Sequence, residues 1–274
     1  MTQKQKIIKY CAIALAVLLI ASIVVGILQT ISAMKLLFGG KDGDLGEMKS
    51  YGTFDDVRNL KISLSAAQLE IKSGEAFSVE SNSEKFTVQC ENGNLTLKDT
   101  RRSVFLGNSA VITVILTVPE GFVFDRVDIE AGAGNVTISD MTAKRFCMEL
   151  GAGNVDIRTL SVTEETEIEG GTGQLSFTSS TLRDLEMGLG VGSLTMEARL
   201  LGDAEIECGV GTAEILLLGD RSDYRIELEK GLGDVTLNGE AVSGFKTFGD
   251  GRNELEIHGG VGSISVSFAE NDQS

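Results

Sequence analysis

The chain has 274 residues, with 24 Lys or Arg against 40 Asp or Glu and a formal net charge of −16. So acidic a chain is not expected to bind nucleic acid, because affinity for the phosphate backbone depends on Lys and Arg. The chain has one His, no Trp and three Tyr, so it offers few residues for catalysis or for stacking against sugars. It also has an unusually high count of 33 Gly and a single Pro. These counts predict no catalytic residues and no cofactor.

An apolar run near the N-terminus, residues 10–34, contains no charge and ends at Lys35. About 20 apolar residues suffice to cross a bilayer, and the excess of lysines before the run favours an N-terminus inside the cell. A cleaved signal peptide is the alternative, but its apolar region is usually about 7–15 residues long. We therefore expect residues 1–9 to be cytoplasmic and residues 10–34 to be a transmembrane signal anchor.

A Gly-rich segment, residues 35–52, follows the anchor. Its five glycines would break any helical continuation, so we interpret it as a linker. The remaining chain divides into a predicted ectodomain, residues 53–268, and a short tail, residues 269–274.

A repeat of nearly constant period dominates the ectodomain. Its ten-residue units are IEAGAGNVTI at Ile129, MELGAGNVDI at Met148, IEGGTGQLSF at Ile168, MGLGVGSLTM at Met187, IECGVGTAEI at Ile206, LEKGLGDVTL at Leu228 and IHGGVGSISV at Ile257. A degenerate eighth unit, ISLSAAQLEI, begins at Ile62 with Ser65 and Ala67 in place of the two glycines. Regular self-similarity of this kind is typical of stacked repeats.

Each unit alternates apolar and polar residues, which predicts strands. The apolar positions change from odd to even across the G-x-G, so each unit is predicted to be a strand, a glycine corner and a second strand. A single unit cannot bury its apolar side, whereas stacked units can. We predict an all-β fold, a β-solenoid of about seven to eight rungs, with structural corner glycines at Gly132, Gly134, Gly151, Gly153, Gly171, Gly173, Gly190, Gly192, Gly209, Gly211, Gly231, Gly233, Gly260 and Gly262.

Two segments interrupt the repeat. Residues 72–128 contain short alternating runs and a VPEG turn, which predict a β-meander insertion that caps the start of the stack. Residues 238–256 are predicted to be a loop insertion before the final unit. Cys90, Cys147 and Cys208 lie in apolar strand patterns, so no structural disulfide is expected.

The order of these motifs resembles a known bacterial family. A strand like LKISLSAAQLEI, a run ending in VITVILTVPEGF and repeated G-x-G units are similar to the "putative adhesin" or toast-rack β-solenoid family, a domain of unknown function. The resemblance covers roughly residues 51–268. It implies a β-solenoid at the bacterial cell surface, linked to adhesion or envelope-stress systems, and it implies no catalytic residues.

The position two residues before the first corner glycine is acidic in most units. We name this set the acidic row: Glu130, Glu149, Glu169, Glu207 and Glu229. One hypothesis is a strip that binds a divalent cation such as calcium, or a cationic ligand. The favoured interpretation is a solvated outer face, so no metal site is predicted. Gly188 and His258 occupy the position in the two other units.

We therefore expect a single-pass protein of the bacterial cell membrane, anchored through residues 10–34, with an extracytoplasmic C-terminal domain. The predicted function is that of a non-enzymatic, adhesin-like binding or scaffold protein at the surface, with an unknown protein or cell-envelope polymer as partner. An envelope-stress regulatory or accessory membrane protein is the alternative. A polysaccharide-active β-helix enzyme is a more remote one, because aromatic platforms for sugars are scarce.

Overall fold

The computed structural model describes residues 45–99 and 111–269. The strands are β1 (Leu45–Phe54), β2 (Asn59–Gly74), β3 (Phe77–Ser83), β4 (Phe86–Glu91), β5 (Asn94–Asp99), β6 (Ile112–Pro119), β7 (Val123–Ile138), β8 (Met141–Ile157), β9 (Leu160–Leu217), β10 (Tyr224–Glu229), β11 (Leu232–Leu237), β12 (Glu240–Val242), β13 (Phe245–Phe248) and β14 (Asn253–Phe268). One 3₁₀ turn, Arg221–Asp223, precedes β10. Within the described residues the predicted all-β fold is confirmed.

The proposed anchor, residues 10–34, lies outside the described residues, as do residues 1–9 and the first part of the predicted linker. In the part of the chain that the structure describes, no helix has the length and apolar character needed to span a membrane.

The repeats stack as parallel strands with equivalent positions side by side. Ile129 of β7 pairs with Met148 of β8, and Met148 pairs with Ile168 of β9. The single long strand β9 carries three consecutive units, because strand pairing continues through its corners even where Ser179, Asp184 and Gly202 adopt a positive φ. Each unit is therefore one rung, and the stacked repeat that the G-x-G spacing predicts is confirmed.

The glycine corners lie where the inward-facing side chains change parity. Ile129 is buried before the corner of β7 and Val136 after it. The second glycine of all seven G-x-G corners has φ between 125° and 154°, a region that L side chains rarely adopt. At Gly153 a Cβ atom would also overlap the carbonyl oxygen of Gly134 in the neighbouring rung. The corner therefore requires glycine for its backbone angle and for the close approach of adjacent rungs.

The order of the rungs in space differs from their order in the chain. Strand β14 lies between β9 and the pair β10 and β11: Ile257 pairs with Ile206 on one side and with Leu228 on the other. The segment predicted to be a loop insertion, residues 238–256, instead contains β12 and β13. These strands pair antiparallel with β11 and β10 and form the outer edge of the stack.

The start of the stack, like its end, consists of a parallel rung with antiparallel strands paired to it. Strands β5 and β6 together form a further rung parallel to β2, on the side opposite β7. Strands β4 and β3 pair antiparallel with them. Residues 72–128 are therefore not a simple meander, because two of their strands extend the parallel stack.

The end of the predicted linker forms strand β1, which pairs antiparallel with β3 through Thr53 and Ser78. Most of its side chains are exposed, but Leu45, Tyr51 and Phe54 pack against the core, so backbone hydrogen bonding and partial burial together hold this segment in its extended structure. The apolar side chains of all the rungs form one continuous core, which holds the outward-facing positions in fixed rows.

Candidate functional site

The five predicted members of the acidic row lie together on one face of the stack. Glu130 pairs in register with Glu149, and Glu149 with Glu169. Because β14 is inserted between β9 and β10, His258 lies between Glu207 and Glu229. The structure therefore places the chain's one histidine inside the acidic row, a neighbourhood that the chain order of the repeats does not indicate.

A groove of about 960 Å³ runs beside the acidic row and crosses the rungs from β2 to β14. Its acidic wall is formed by Glu130, Glu149, Glu169 and Glu207, and the first corner glycine of five units also lines it. The groove floor is formed by half-buried side chains that pack against the core, namely Ala131, Leu150, Leu189 and Cys208. The groove thus combines apolar contact surface with a wall of carboxylates.

A second line of acidic side chains lies two residues upstream in each unit, also facing outward. It comprises Asp128, Glu167, Glu186, Glu205, Glu256 and Glu227, with Cys147 in the remaining rung. The same period-two alternation that reveals the acidic row contains the signal for this second row, which the sequence analysis missed. Where Gly188 has no side chain, carboxylates of both rows surround a depression of about 140 Å³.

Cationic side chains neutralise the first rungs of this face but not its centre. Lys61 Nζ lies 3.4 Å from Glu130 Oε1, and Arg126 Nη2 lies 2.8 Å from Asp128 Oδ1. Within the described residues, the central members of the acidic row have no Lys or Arg partner: Glu149, Glu169 and Glu207. The negative potential is therefore concentrated at the middle of the groove.

His258 contacts carboxylates on three neighbouring strands. Its Nδ1 lies 3.0 Å from Glu229 Oε2, and its Nε2 lies 3.6 Å from Glu205 Oε1 and 3.7 Å from Glu256 Oε2. Burial by itself would lower the pKa of His258. The hydrogen bond to Glu229 and the surrounding negative charges outweigh that effect and raise the pKa above its ordinary 6.5.

The two thiols near this face are poor nucleophiles. Burial, reinforced by the charge of Glu167, raises the pKa of Cys147 to about 11. Burial alone raises the pKa of Cys208, on the groove floor, to about 11. Since the thiolate is the reactive form, both groups are protonated and unreactive at neutral pH. Cys90, Cys147 and Cys208 are all free of disulfides.

The fold and the grooved, Gly-cornered face define a stacked β-repeat protein. Residues 57–267 match the family model described as Toastrack DUF4097. The chain belongs to the Toastrack family, as the resemblance of its motifs predicts. No curated protein gives a significant match.

Several solved structures are similar at low sequence identity. A "putative cell adhesion protein" from Clostridium sporogenes is 16% identical and matches 81% of this chain and 99% of its own, with a TM-score of 0.36. A "putative lipid binding protein" from Parabacteroides distasonis is 13% identical, covers 84% of this chain and 98% of its own, and has a TM-score of 0.36. A "putative adhesin" from Parabacteroides merdae is 13% identical over the same shares, with a TM-score of 0.30.

Proposed function

We propose that this protein is a membrane-anchored, non-enzymatic, adhesin-like binding protein of the bacterial cell surface, and that its groove holds a cationic, partly apolar segment of an outside partner. The observation that carries the proposal is the groove itself, in which unneutralised carboxylates stand beside an apolar floor. The partner is a protein or a cell-envelope polymer that bears amino or guanidinium groups.

The shape of the groove favours an extended ligand over a compact one. It crosses seven rungs from Ser63 to His258, and neighbouring strands lie about 4.8 Å apart, so it is roughly 30 Å long. The half-buried Leu150 and Leu189 offer contact area to the apolar stems of lysine or arginine side chains, whose charged ends would reach the acidic row. The negative net charge of the chain also speeds its encounter with cationic partners.

A binding role is favoured over catalysis by the state of the reactive groups. His258 contacts carboxylates and, among residues 45–99 and 111–269, makes no hydrogen bond to a hydroxyl or thiol. Cys208, the thiol on the groove floor, is protonated at neutral pH because its pKa is about 11. The proposed anchor rests on the charge-free run at residues 10–34 and on the lysines that precede it.

Peptide binding to the full-length chain in a mild detergent tests the proposal. We expect a fluorescent peptide of alternating Lys and Leu to bind saturably, and the matched peptide of alternating Glu and Leu not to bind. The double variant Glu149→Gln/Glu169→Gln should weaken binding about fivefold or more, because each exposed ion pair contributes up to about 1 kcal/mol.

The matched control is Glu70→Gln/Glu214→Gln, which removes the same charge from exposed positions outside the groove lining. Its affinity for the cationic peptide should stay within about twofold of the parent. Equal weakening by the two double variants, or equal binding of the two peptides, would show that the groove is not the binding site.

A further inference from the structure

A compact set of metal-ligating atoms lies near the last rungs of the groove. One nitrogen of His258 and one carboxylate oxygen each of Glu205 and Glu256 lie within 4.8 Å of one another. The three residues come from two strands that are adjacent only because β14 is inserted beside β9, where Glu256 pairs in register with Glu205. We propose that these side chains bind a divalent transition-metal ion such as Zn²⁺.

The distances suit coordination by a small ion. His258 Nε2 is 3.6 Å from Glu205 Oε1 and 3.7 Å from Glu256 Oε2. Zinc takes nitrogen and oxygen ligands at about 2.0–2.2 Å in tetrahedral geometry, which places neighbouring ligand atoms about 3.3–3.5 Å apart. The two distances from the imidazole to the carboxylates therefore need to shorten by only a few tenths of an ångström around the ion, and the two carboxylate oxygens lie within 4.8 Å of each other.

The imidazole is already oriented for this role by Glu229. Its Nδ1 lies 3.0 Å from Glu229 Oε2, so an Nδ1–H donated to this carboxylate leaves the Nε2 lone pair directed at Glu205 and Glu256. A carboxylate that holds the second ring nitrogen is the usual support of a metal-bound histidine. Glu229 is thus a positioning residue and not a ligand.

The neighbouring carboxylates show why the site lies here and not one position away. Glu227, Glu254 and Glu256 also converge, but the guanidinium of Arg225 pairs with both Glu227 and Glu254. The carboxylates of Glu227 and Glu254 are therefore already neutralised by a guanidinium and are less suited to bind a metal ion. No Lys or Arg among the described residues pairs with the set Glu205, Glu256 and His258.

The mixed donor set also selects the metal. Calcium prefers six to eight oxygen ligands, whereas an imidazole with two carboxylates suits zinc and related transition metals. The side chains of Glu205, Glu256 and His258 remain 49%, 41% and 37% exposed. An ion can therefore enter from solvent, and water can complete its coordination.

Zinc titration of the full-length chain, prepared without a histidine tag and kept in a mild detergent, tests the proposal. We expect one Zn²⁺ per chain by calorimetry, with a dissociation constant on the order of micromolar. His258→Gln and Glu205→Gln should each weaken binding at least about tenfold, and Glu229→Gln about tenfold through loss of the ring's support. Glu149→Gln, elsewhere in the acidic row, should bind zinc like the parent.

A spectroscopic readout is available because His258 is the chain's one histidine. Its imidazole C–H resonances should shift with one equivalent of Zn²⁺ and not with Ca²⁺. Circular dichroism without zinc establishes that each variant is folded. Failure of Zn²⁺ at 0.1 mM, about a hundredfold above the expected dissociation constant, to shift these resonances would overturn the proposal. Weakening by Glu149→Gln equal to that by His258→Gln would also overturn it and indicate diffuse adsorption to the acidic face.

Discussion

At the scale of single residues, Gly153 shows how the absence of a side chain decides the packing between rungs. Its φ of 150° is strained for any residue with a Cβ atom, and the added atom would overlap Gly134 of the next rung. We expect Gly153→Val to lower the free energy of unfolding by about 3 kcal/mol or more. Thermal or urea unfolding followed by circular dichroism measures this loss.

Gly188 provides the control for this substitution. A Cβ atom at Gly188 would meet no heavy atom within 4 Å, although the residue lies on the same β9 strand as three of the corners. Gly188→Ala should therefore change the unfolding free energy by less than about 0.5 kcal/mol. Similar melting temperatures for the Gly153 and Gly188 variants would contradict the close approach of the rungs at the corner.

Among the strands, β14 is the most informative because it is near the end of the chain but inside the stack. It has parallel partners on both sides, in β9 on one face and in β10 and β11 on the other. Hydrogen exchange measured by mass spectrometry should therefore show slow exchange in peptides from residues 254–266. Peptides from β13, which pairs on one side with β10, should exchange much faster.

The same measurement identifies the true end of the stack. If residues 254–266 exchanged as fast as β13 while β10 and β11 stayed protected, β14 would be the terminal rung and the interleaved order would be wrong. Exchange in β8, which lies between β7 and β9, supplies the reference for a fully internal rung.

The sequence determines the rungs better than their arrangement. The alternation around Ile129 and Val136, interrupted by two glycines, predicts strands, a corner and a buried side, and the structure confirms each. The order of the rungs could not be predicted, because the G-x-G units share nearly the same inward pattern, with the buried Thr166 of the third unit as the exception. The contacts of His258 depend on that order, so the proposed zinc ligands could not be predicted from the sequence either.

Strand β1 could not be predicted for a different reason, and most of it lies in the segment interpreted as a linker. Its sequence, LGEMKSYGTF, has no apolar alternation and remains mostly exposed. Its structure comes from backbone pairing with β3 and from the packing of Leu45, Tyr51 and Phe54 against the core. The second acidic row, by contrast, was predictable. Glu186 and Glu205 each lie two residues before the acidic-row position of their unit. Because residues two apart on a strand face the same side, counting back from the corner glycines predicts that they also face outward.

For the molecule as a whole, the dominant electrostatic feature is self-repulsion. The formal net charge is −16, and two rows of carboxylates face outward on neighbouring rungs. We expect the melting temperature to rise when NaCl is increased from 0.01 M to 0.1 M, because the Debye length falls from about 30 Å to about 10 Å. Differential scanning calorimetry of the full-length chain in a non-ionic detergent measures the shift.

Two charge-matched variants assign this salt effect to a surface. Glu149→Gln/Glu169→Gln removes two neighbouring members of the acidic row, so its melting temperature should depend less on salt than that of the parent. Glu70→Gln/Glu214→Gln removes two isolated charges and should reduce the salt dependence less. Equal reductions would mean that the net charge, rather than its arrangement in rows, controls the repulsion.

The insertion of β14 also constrains how the molecule can be assembled. The last rung of β9 acquires its native neighbour only after residues 253–268 have been synthesised, so β10 and β11 cannot take their native places in the stack before then. The native stack is therefore completed only once β14 has been made, and not by adding rungs in the order of the chain. A chain that stops before residue 253 lacks an internal layer, and its defect extends to every strand that should lie beyond that layer.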